Sequence, residues 1–387
     1  MKERLSAQIF KLDPRIKNGY YSDKYFCRTK EVLEKDGRHP NVLMQVFQRK
    51  DNVCLCGMDE AIAIIKEALG NEFRNLEIKA LHDGDITNAW ETVMTIEGDY
   101  SLFAHLETVY LGALARGTLV ATNVYRCFKA ANGKPIFFFP GRFDSHLIQA
   151  KDGYSYMVGR RAAGFDGAGG VSTDAQGEWW GSEGMGTIPH GLIAAYAGDT
   201  AEATIKFAEI MPVDIKRITL VDWDNDCVAT AVRTAIAMEK RFKETGYDDR
   251  FKLYGVRLDT SGSMVDKSIV EDMEKSEYVG DFKPTGVNAK LVRNVRAKYD
   301  EMGKIFGVYF FNIRIFVSGG FNDKKISEFE KARVPVDAYG VGSSLFKGNF
   351  DFTADIVKVQ NRDKWWLHCA KKGRKFNKNP RLEQVTS

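Results

Sequence analysis

No stretch of the 387 residues approaches the roughly twenty uninterrupted apolar residues that a membrane-crossing helix needs. The opening MKERLSAQIFKLD has no apolar core of the secretory kind, so a cytoplasmic location is expected. The six cysteines (Cys27, Cys54, Cys56, Cys127, Cys227 and Cys369) form no CxxC pair and read as packing thiols of a reducing compartment. The six histidines are scattered, without HExxH or another paired-ligand spacing, which argues against zinc. Repeats and low-complexity segments are absent as well. A formal charge of +4 on so long a chain is a weak argument for an anionic ligand and none for a nucleic-acid surface.

Against these absences stand three segments that each read as a buried strand running into a turn of small residues. They are FKLYGVRLDTSGS at 251–263, NIRIFVSGG at 312–320 and VDAYGVGSS at 336–344. Alternation of such strands with helical stretches is the mark of a parallel β/α barrel, whose chemistry sits at the C-terminal strand ends. Two of the turns are nearly bare backbone: Ser318, Gly319 and Gly320, then Gly340, Gly342, Ser343 and Ser344. Glycines let main-chain N–H groups approach an anion, and the last loops of a barrel commonly hold a phosphate. A phosphorylated sugar is the ligand these turns suggest.

The chain divides, on this reading, into an N-terminal α/β layer over 1–115 and a barrel over 116–349, with 350–387 completing the first layer. Strands are expected at 41–48 and 91–98 around a helix at 59–70, and a long helical pattern covers 100–131. In the barrel, strands are expected at 135–139, 184–188, 218–222 and 253–258. Helices are expected around 155–163, through 196, after 222 with Val228, Val232 and Ile236 at four-residue spacing, and over 287–302. Asn322 or Asp323 would cap a helix that packs Ile326 and Phe329 inward. The strand-like piece 352–359 would return to the first layer. The basic tail 371–387 is expected to be partly mobile.

The predicted strand ends carry Arg142, His190, Asp222, Arg257 and Asp259. Such a set suits a reaction in which an anion leaves a sugar carbon: arginines neutralise the leaving group, while carboxylates hold hydroxyls or Mg²⁺ and favour positive charge on the ring. A Schiff-base aldolase would want a lysine at a strand end, and these strands end in none. His190, between Pro189 and a helix start, is placed at the barrel mouth. Taken singly, any of these charges could be a structural ion pair; together at one end of a barrel they read as a site.

In this order the residues resemble the nicotinate phosphoribosyltransferases, in the short form of archaea and some bacteria, which are type II phosphoribosyltransferases. Ser22-Asp23-Lys24-Tyr25 resembles the family's Asp-x-Tyr, whose tyrosine reaches into the partner subunit and stacks on the pyridine ring. Phe139-Pro140-Gly141-Arg142 is similar to Phe-Gly-x-Arg, with Phe on the ring's other face and Arg on phosphoribosyl groups. Gly164-Phe165-Asp166-Gly167 matches GFDG. Gly186-Thr187-Ile188-Pro189-His190 resembles GT-x-x-H, whose histidine is phosphorylated by ATP in members that couple hydrolysis to synthesis. Val221-Asp222, Arg257-Leu258-Asp259, Ser318-Gly319-Gly320 and Gly340-Val341-Gly342 follow in the family's order. The resemblance runs from Ser22 to Phe352.

The resemblance implies an irregular β/α barrel with a separate N-terminal α/β sandwich, acting as a homodimer with shared sites or a larger assembly of dimers. Nicotinate would attack phosphoribosyl pyrophosphate, with ATP as co-substrate. His190, Asp222, Asp259 and Arg257 would be catalytic, and Asp222 and Asp259 would hold Mg²⁺ and ribose hydroxyls. Asp23, Tyr25, Phe139, Arg142, Asp166, Gly169 and Thr187 would bind substrate. Ser318, Gly319, Gly320, Gly340, Gly342 and Ser343 would bind the 5′-phosphate. The chain also departs from the family. Phe143 stands where many members have a second arginine, and Asp222-Trp223-Asp224 replaces Asp-Ser/Thr-Tyr. Gly169 stands where nicotinate enzymes carry Ser and the nicotinamide enzyme Asp; without that acid an amide is disfavoured. A lone Cys369 replaces the zinc knuckle of some relatives. The rival readings are quinolinate phosphoribosylation, using Arg160 and Arg161 for the second carboxylate, a nicotinamide enzyme, and a phosphosugar-binding protein without catalysis.

Overall fold

The computed structural model describes residues 3–275, 283–361 and 363–385. Apolar residues concentrated in the first strands build the N-terminal layer: β1 (Asn41–Phe47), β2 (Val53–Cys54), β3 (Glu77–Ala80), β4 (Ile86–Thr87) and β5 (Thr92–Asp99). β1 and β3 both pair antiparallel with β5, while β2 and β4 form a small ribbon of their own. The helix Met58–Leu69, expected over 59–70, buries Ala61, Ile62, Ile64, Ile65 and Ala68 in the same core as Val42, Met44, Val93 and Ile96. The helical pattern at 100–131 is interrupted at Ala104–Leu106, after which Glu107–Ala130 runs unbroken. That helix is the spine of the molecule. Its first half gives Tyr110, Ala113 and Leu114 to the N-terminal core, and its second half gives Val120, Val124, Cys127 and Phe128 to the barrel core.

The barrel strands are β6 (Ile136–Phe138), β7 (Gly170–Val171), β8 (Arg217–Leu220), β9 (Leu253–Leu258), β10 (Arg314–Val317) and β11 (Ala338–Val341). They form one curled, all-parallel sheet in the order β7-β6-β11-β10-β9-β8. The strand expected at 184–188 is reduced to a seam between the two sheet edges. Gly184 bridges Val171 on one side, and Ile188 N donates to Ile218 O (3.3 Å) on the other. Gly181, Gly184 and Gly186 explain why no longer ladder forms there, since glycine weakens a strand. Val256, Leu258, Ile315, Val317, Tyr339 and Val341 face the surrounding helices and are fully buried. Several elements depart from expectation, among them an additional helix, Thr200–Ile210. The helix around 155–163 begins earlier, at Gln149, and an additional helix, Lys267–Glu274, precedes Ala289–Phe306. The helix Cys227–Glu244 buries Cys227, Thr230, Ala231, Thr234, Ala235 and Met238, so Val228 and Val232 are only half-buried and Ile236 is exposed. Its small buried residues let it lie close to the sheet. Asn322 caps Asp323–Lys331 by accepting from Lys325 N, with Ile326 and Phe329 buried as expected.

β12 (Thr353–Gln360) then pairs antiparallel with β1 on the first sheet; β13 (Trp366–His368) pairs with β12 at that edge, and β14 (Glu383–Gln384) pairs with β3 at the opposite edge. The tail expected to be partly mobile is packed on this sheet over its described residues, and 386–387 lie outside them. Between the last two strands, Asn379 is buried and donates to Thr92 O (2.8 Å), and Asn377 N donates to Gln45 Oε1 (3.0 Å). These polar sheet residues need partners, and the tail supplies them. No described helix is long and apolar enough to cross a membrane.

Candidate active site

Six parallel strands put their C-terminal ends at one mouth, and the functional residues follow from that geometry. Asp222 lies just beyond β8, Arg257 near the end of β9 with Asp259 immediately after it, and Ser318 just beyond β10. Between β8 and β9 the register slips, pairing Arg217 with Leu253 but Ile218 with Gly255. Tyr254 is thus an extra residue on β9, a bulge that turns both Tyr254 and Arg257 to the barrel interior. Gly255 leaves room for the Phe316 ring, since an added Cβ would lie 2.6 Å from it.

Two cavities meet at this mouth. One, of about 540 Å³, runs between the inward faces of the strands and is lined by Phe137, Gly169, Ile218, Tyr254 and Phe316 among others. The other, of about 520 Å³, opens over the strand ends and is lined by Arg142, His190, Asp259, Ser318, Gly319, Gly320, Gly342, Ser343 and Ser344. Phe139, Met185, Gly186, Thr187, Arg257 and Gly340 line both, and so form the neck between an aromatic chamber and a polar one.

Arg257 is the decisive group of the neck. Its guanidinium carbon lies 5.4 Å from the centroid of the Phe139 ring, and its Nε is buried without a partner among the described residues. Burial pushes its pKa down, against the pull of Asp259 and Asp222. A buried donor without an acceptor is costly, so this edge is prepared for an anionic or polar ligand atom. Phe139 is held by its N–H, which donates to Val341 O (2.9 Å), and its ring lies over Gly340, where an added Cβ would come within 2.6 Å.

His190 is the first residue of the short helix His190–Ala195. Its Nε2 stands 3.0 Å from Asp222 Oδ1, and this hydrogen bond raises the imidazole pKa above its ordinary value. Asp259 Oδ1 accepts from Ser318 Oγ at 2.7 Å, which ties the β9 end to the first glycine turn. Gly319 (φ 83°) and Gly320 (φ 79°) are consecutive left-handed residues, a conformation that costs other residues energy. Ser344 Oγ donates to Phe321 O (2.6 Å), joining that turn to the second. Arg142 is exposed beside Phe143, while Gln149 Nε2 holds its turn by donating to Gly141 O (3.0 Å).

Asp222 lines neither cavity and reaches the polar one only through His190, and three further expected residues lie apart from both. Asp166 is exposed, because the GFDG turn is held by other atoms: Arg160 donates to Phe165 O (3.2 Å) and Gly167 O (2.7 Å), and Phe165 packs on Phe128. Asp23 accepts from Thr108 Oγ1 (2.9 Å), and Tyr25 is 60 % exposed against Phe26, both on the N-terminal layer. Arg160 is also committed to those carbonyls and so withdrawn from the role considered for it. Sequence reasoning missed Met185, Tyr254 and Phe316. Strand alternation could have found the last two; nothing in Gly-Met-Gly marks the first.

Among the described residues no group of three or more His, Cys, Asp or Glu side chains is placed to hold a metal. Asp222 and Asp259 each spend one oxygen on a neighbour, so Mg²⁺ fits only as an ion shared with a diphosphate, the usual manner of its binding.

Comparison with known proteins agrees with this fold. Residues 23–118 match the model of the quinolinate phosphoribosyl transferase N-terminal domain. The solved nicotinate-nucleotide pyrophosphorylase of Pyrococcus furiosus superposes with a TM-score of 0.73 at 29 % identity, covering 97 % of this chain and 84 % of that one. The fold is that of the type II phosphoribosyltransferases. Human nicotinic acid phosphoribosyltransferase shares the fold, with a TM-score of 0.60 at 16 % identity, over 87 % of this chain and 74 % of that one. By sequence, the chain is 25 % identical over 244 residues to nicotinate phosphoribosyltransferase pncB2 of Mycobacterium tuberculosis, 62 % of this chain and 42 % of that protein. It is 26 % identical over 286 residues to pncB1 of the same organism, 73 % of this chain and 52 % of that protein. The chain thus spans about half the length of these two relatives.

Proposed function

We propose that the protein transfers the phosphoribosyl group of phosphoribosyl pyrophosphate to nicotinate, giving nicotinate mononucleotide and pyrophosphate. The observation that carries this reading is the neck, where buried Arg257 with a free Nε and the Phe139 ring join an aromatic chamber to a phosphate-type one. The ring nitrogen of nicotinate attacks C1 of the sugar as the bond from C1 to the pyrophosphate oxygen breaks. Positive charge develops on the ribose and then on the pyridinium nitrogen, near the carboxylates of Asp222 and Asp259. Arg142 and Arg257 neutralise anionic groups, and backbone N–H groups of the two glycine turns hold the 5′-phosphate. Mg²⁺ held by Asp222, Asp259 and the diphosphate would screen the charge of the leaving group. His190, oriented by Asp222 through Nε2, leaves Nδ1 to receive a phosphoryl group from ATP. Tyr25 of a second copy would cover the pyridine ring opposite Phe139.

The rival that an observation favours is quinolinate, given the name of the matching family model. Against it, Arg160, the cation considered for the second carboxylate, is occupied by the carbonyls of Phe165 and Gly167. The deciding experiment is product formation from nicotinate, nicotinamide and quinolinate side by side, with and without ATP. Nicotinate is expected to be used best; preference for quinolinate or for the amide overturns the substrate, and no turnover of any base would favour a non-catalytic phosphosugar binder.

A further inference from the structure

The seam that closes the barrel carries one side chain that no motif accounts for. Met185 lies on it, 47 % exposed, and lines both cavities at the neck. Its placement is over-determined by its surroundings. Met185 N donates to Val171 O (2.7 Å), and Gly184 N donates to Asp174 Oδ1 (2.8 Å). Gly184 has no room for a side chain, since a Cβ would come within 2.8–2.9 Å of the Thr173 and Asp174 backbone. Gly170, opposite, is the seat of the thioether: a Cβ there would stand 2.3 Å from Met185 Sδ. Two glycines and two hydrogen bonds therefore hold this methionine against the junction where C1 and the ring nitrogen must meet.

Of the six neck residues, Gly186 and Gly340 carry no side chain, Arg257 supplies charge and Phe139 a flat face. Thr187 is small. Met185 is the one long, apolar side chain free to set the width of the neck, and a thioether packs well on an aromatic edge. We infer that Met185 is the specificity-determining residue for the base, excluding pyridines with a substituent ortho to the attacking nitrogen. A substituent at that position must enter the neck with the nitrogen. If it is a second carboxylate, the side of the neck that Met185 covers offers it sulfur, and the one cation of the neck, Arg257, is already assigned to the other anionic groups of the reactants. This inference rests on the phosphoribosyl transfer proposed above.

The test uses nicotinate and 2-methylnicotinate, whose extra methyl is uncharged, ortho to nitrogen and placed where a second carboxylate would stand, with full-length protein. Met185→Ala should raise the ratio of kcat/KM for 2-methylnicotinate over nicotinate on the order of ten-fold, the usual worth of one methyl group in a tight site. KM for phosphoribosyl pyrophosphate should stay unchanged, and Met185→Leu should restore the original ratio. Gly170→Ala should displace the thioether and alter KM for nicotinate, an effect that vanishes in the Gly170→Ala, Met185→Ala double variant. If the wild type turns over nicotinate but the ratio does not move in Met185→Ala, or the two substitutions simply add, Met185 does not select the base. If the wild type uses no pyridine base, the proposed function fails and this inference falls with it.

Discussion

His190 and Asp222 form a pair whose charge state follows pH in a direction set by their contact. The imidazole pKa is raised, foremost by the hydrogen bond to Asp222. The cationic pair is therefore complete below the ordinary histidine value and is lost as pH climbs through the raised one. Asp222→Asn should lower the His190 pKa in an NMR titration; an unmoved value would remove Asp222 as the cause. For the ATP role, γ-labelled ATP should leave an acid-labile label on the wild type and none on His190→Ala. Equal labelling of both proteins would count against His190. The glycine turns allow a third residue-level test. A Cβ at Gly342 would lie 3.0 Å from the Phe143 ring, beside the second turn. Gly342→Val should raise KM for phosphoribosyl pyrophosphate several-fold more than KM for nicotinate, and equal changes would contradict the phosphate placement. Gly169 is less suited to substitution than the motif suggests. A Cβ there would lie 2.8 Å from the Tyr156 hydroxyl, so an Asp at that position would disturb packing as well as charge.

At the scale of elements, the helix Glu107–Ala130 opens with a carboxyl that is partly buried. Burial pushes Glu107 up to about 7, and Asp355 on β12 adds to the shift. The folded protein thus keeps a proton that the unfolded chain has released, and stability falls as pH rises from about 4.5 to 7. Glu107→Gln should leave stability nearly unchanged at pH 4 and add about 1–3 kcal/mol at pH 8, read from urea midpoints. An equal gain at both pH values would assign the effect to packing. The tail tests the same layer from its other edge. Asn379→Ala removes the donor to Thr92 O from a buried site and should cost about 1–3 kcal/mol, while a surface position would cost almost nothing.

For the whole molecule, Asp23 and Tyr25 decide whether the site is complete in one chain. Both stand on the N-terminal layer, and neither lines a cavity at the barrel mouth. A role in catalysis therefore requires a second copy. Mixing inactive Tyr25→Ala with inactive Asp259→Ala should recover up to about a quarter of wild-type activity when subunits exchange at random, because one of the two sites in each heterodimer is then intact. No recovery after proven exchange, or a fully active monomer, would end the shared-site reading.

Local pattern alone located most of this protein. Buried-strand runs leading into small-residue turns marked β9, β10 and β11, Asn322 marked its helix start, and glycines at the strand ends marked the turns, because each depends on a few neighbouring residues. Pattern failed where partners lie far away in the chain. The strand 184–188 became a seam because its neighbours are two sheet edges, and the tail's order depends on polar groups of β1 and β5 some 300 residues earlier. The buried face of Cys227–Glu244 was misread because close packing against a sheet selects small residues over the most apolar ones. Arg257 was legible as a charged strand end, but its bare Nε and its place over Phe139 were not. Met185 carried no local signal at all. Its position is set by the room left at Gly170, which exists only once β7 and the seam have come together.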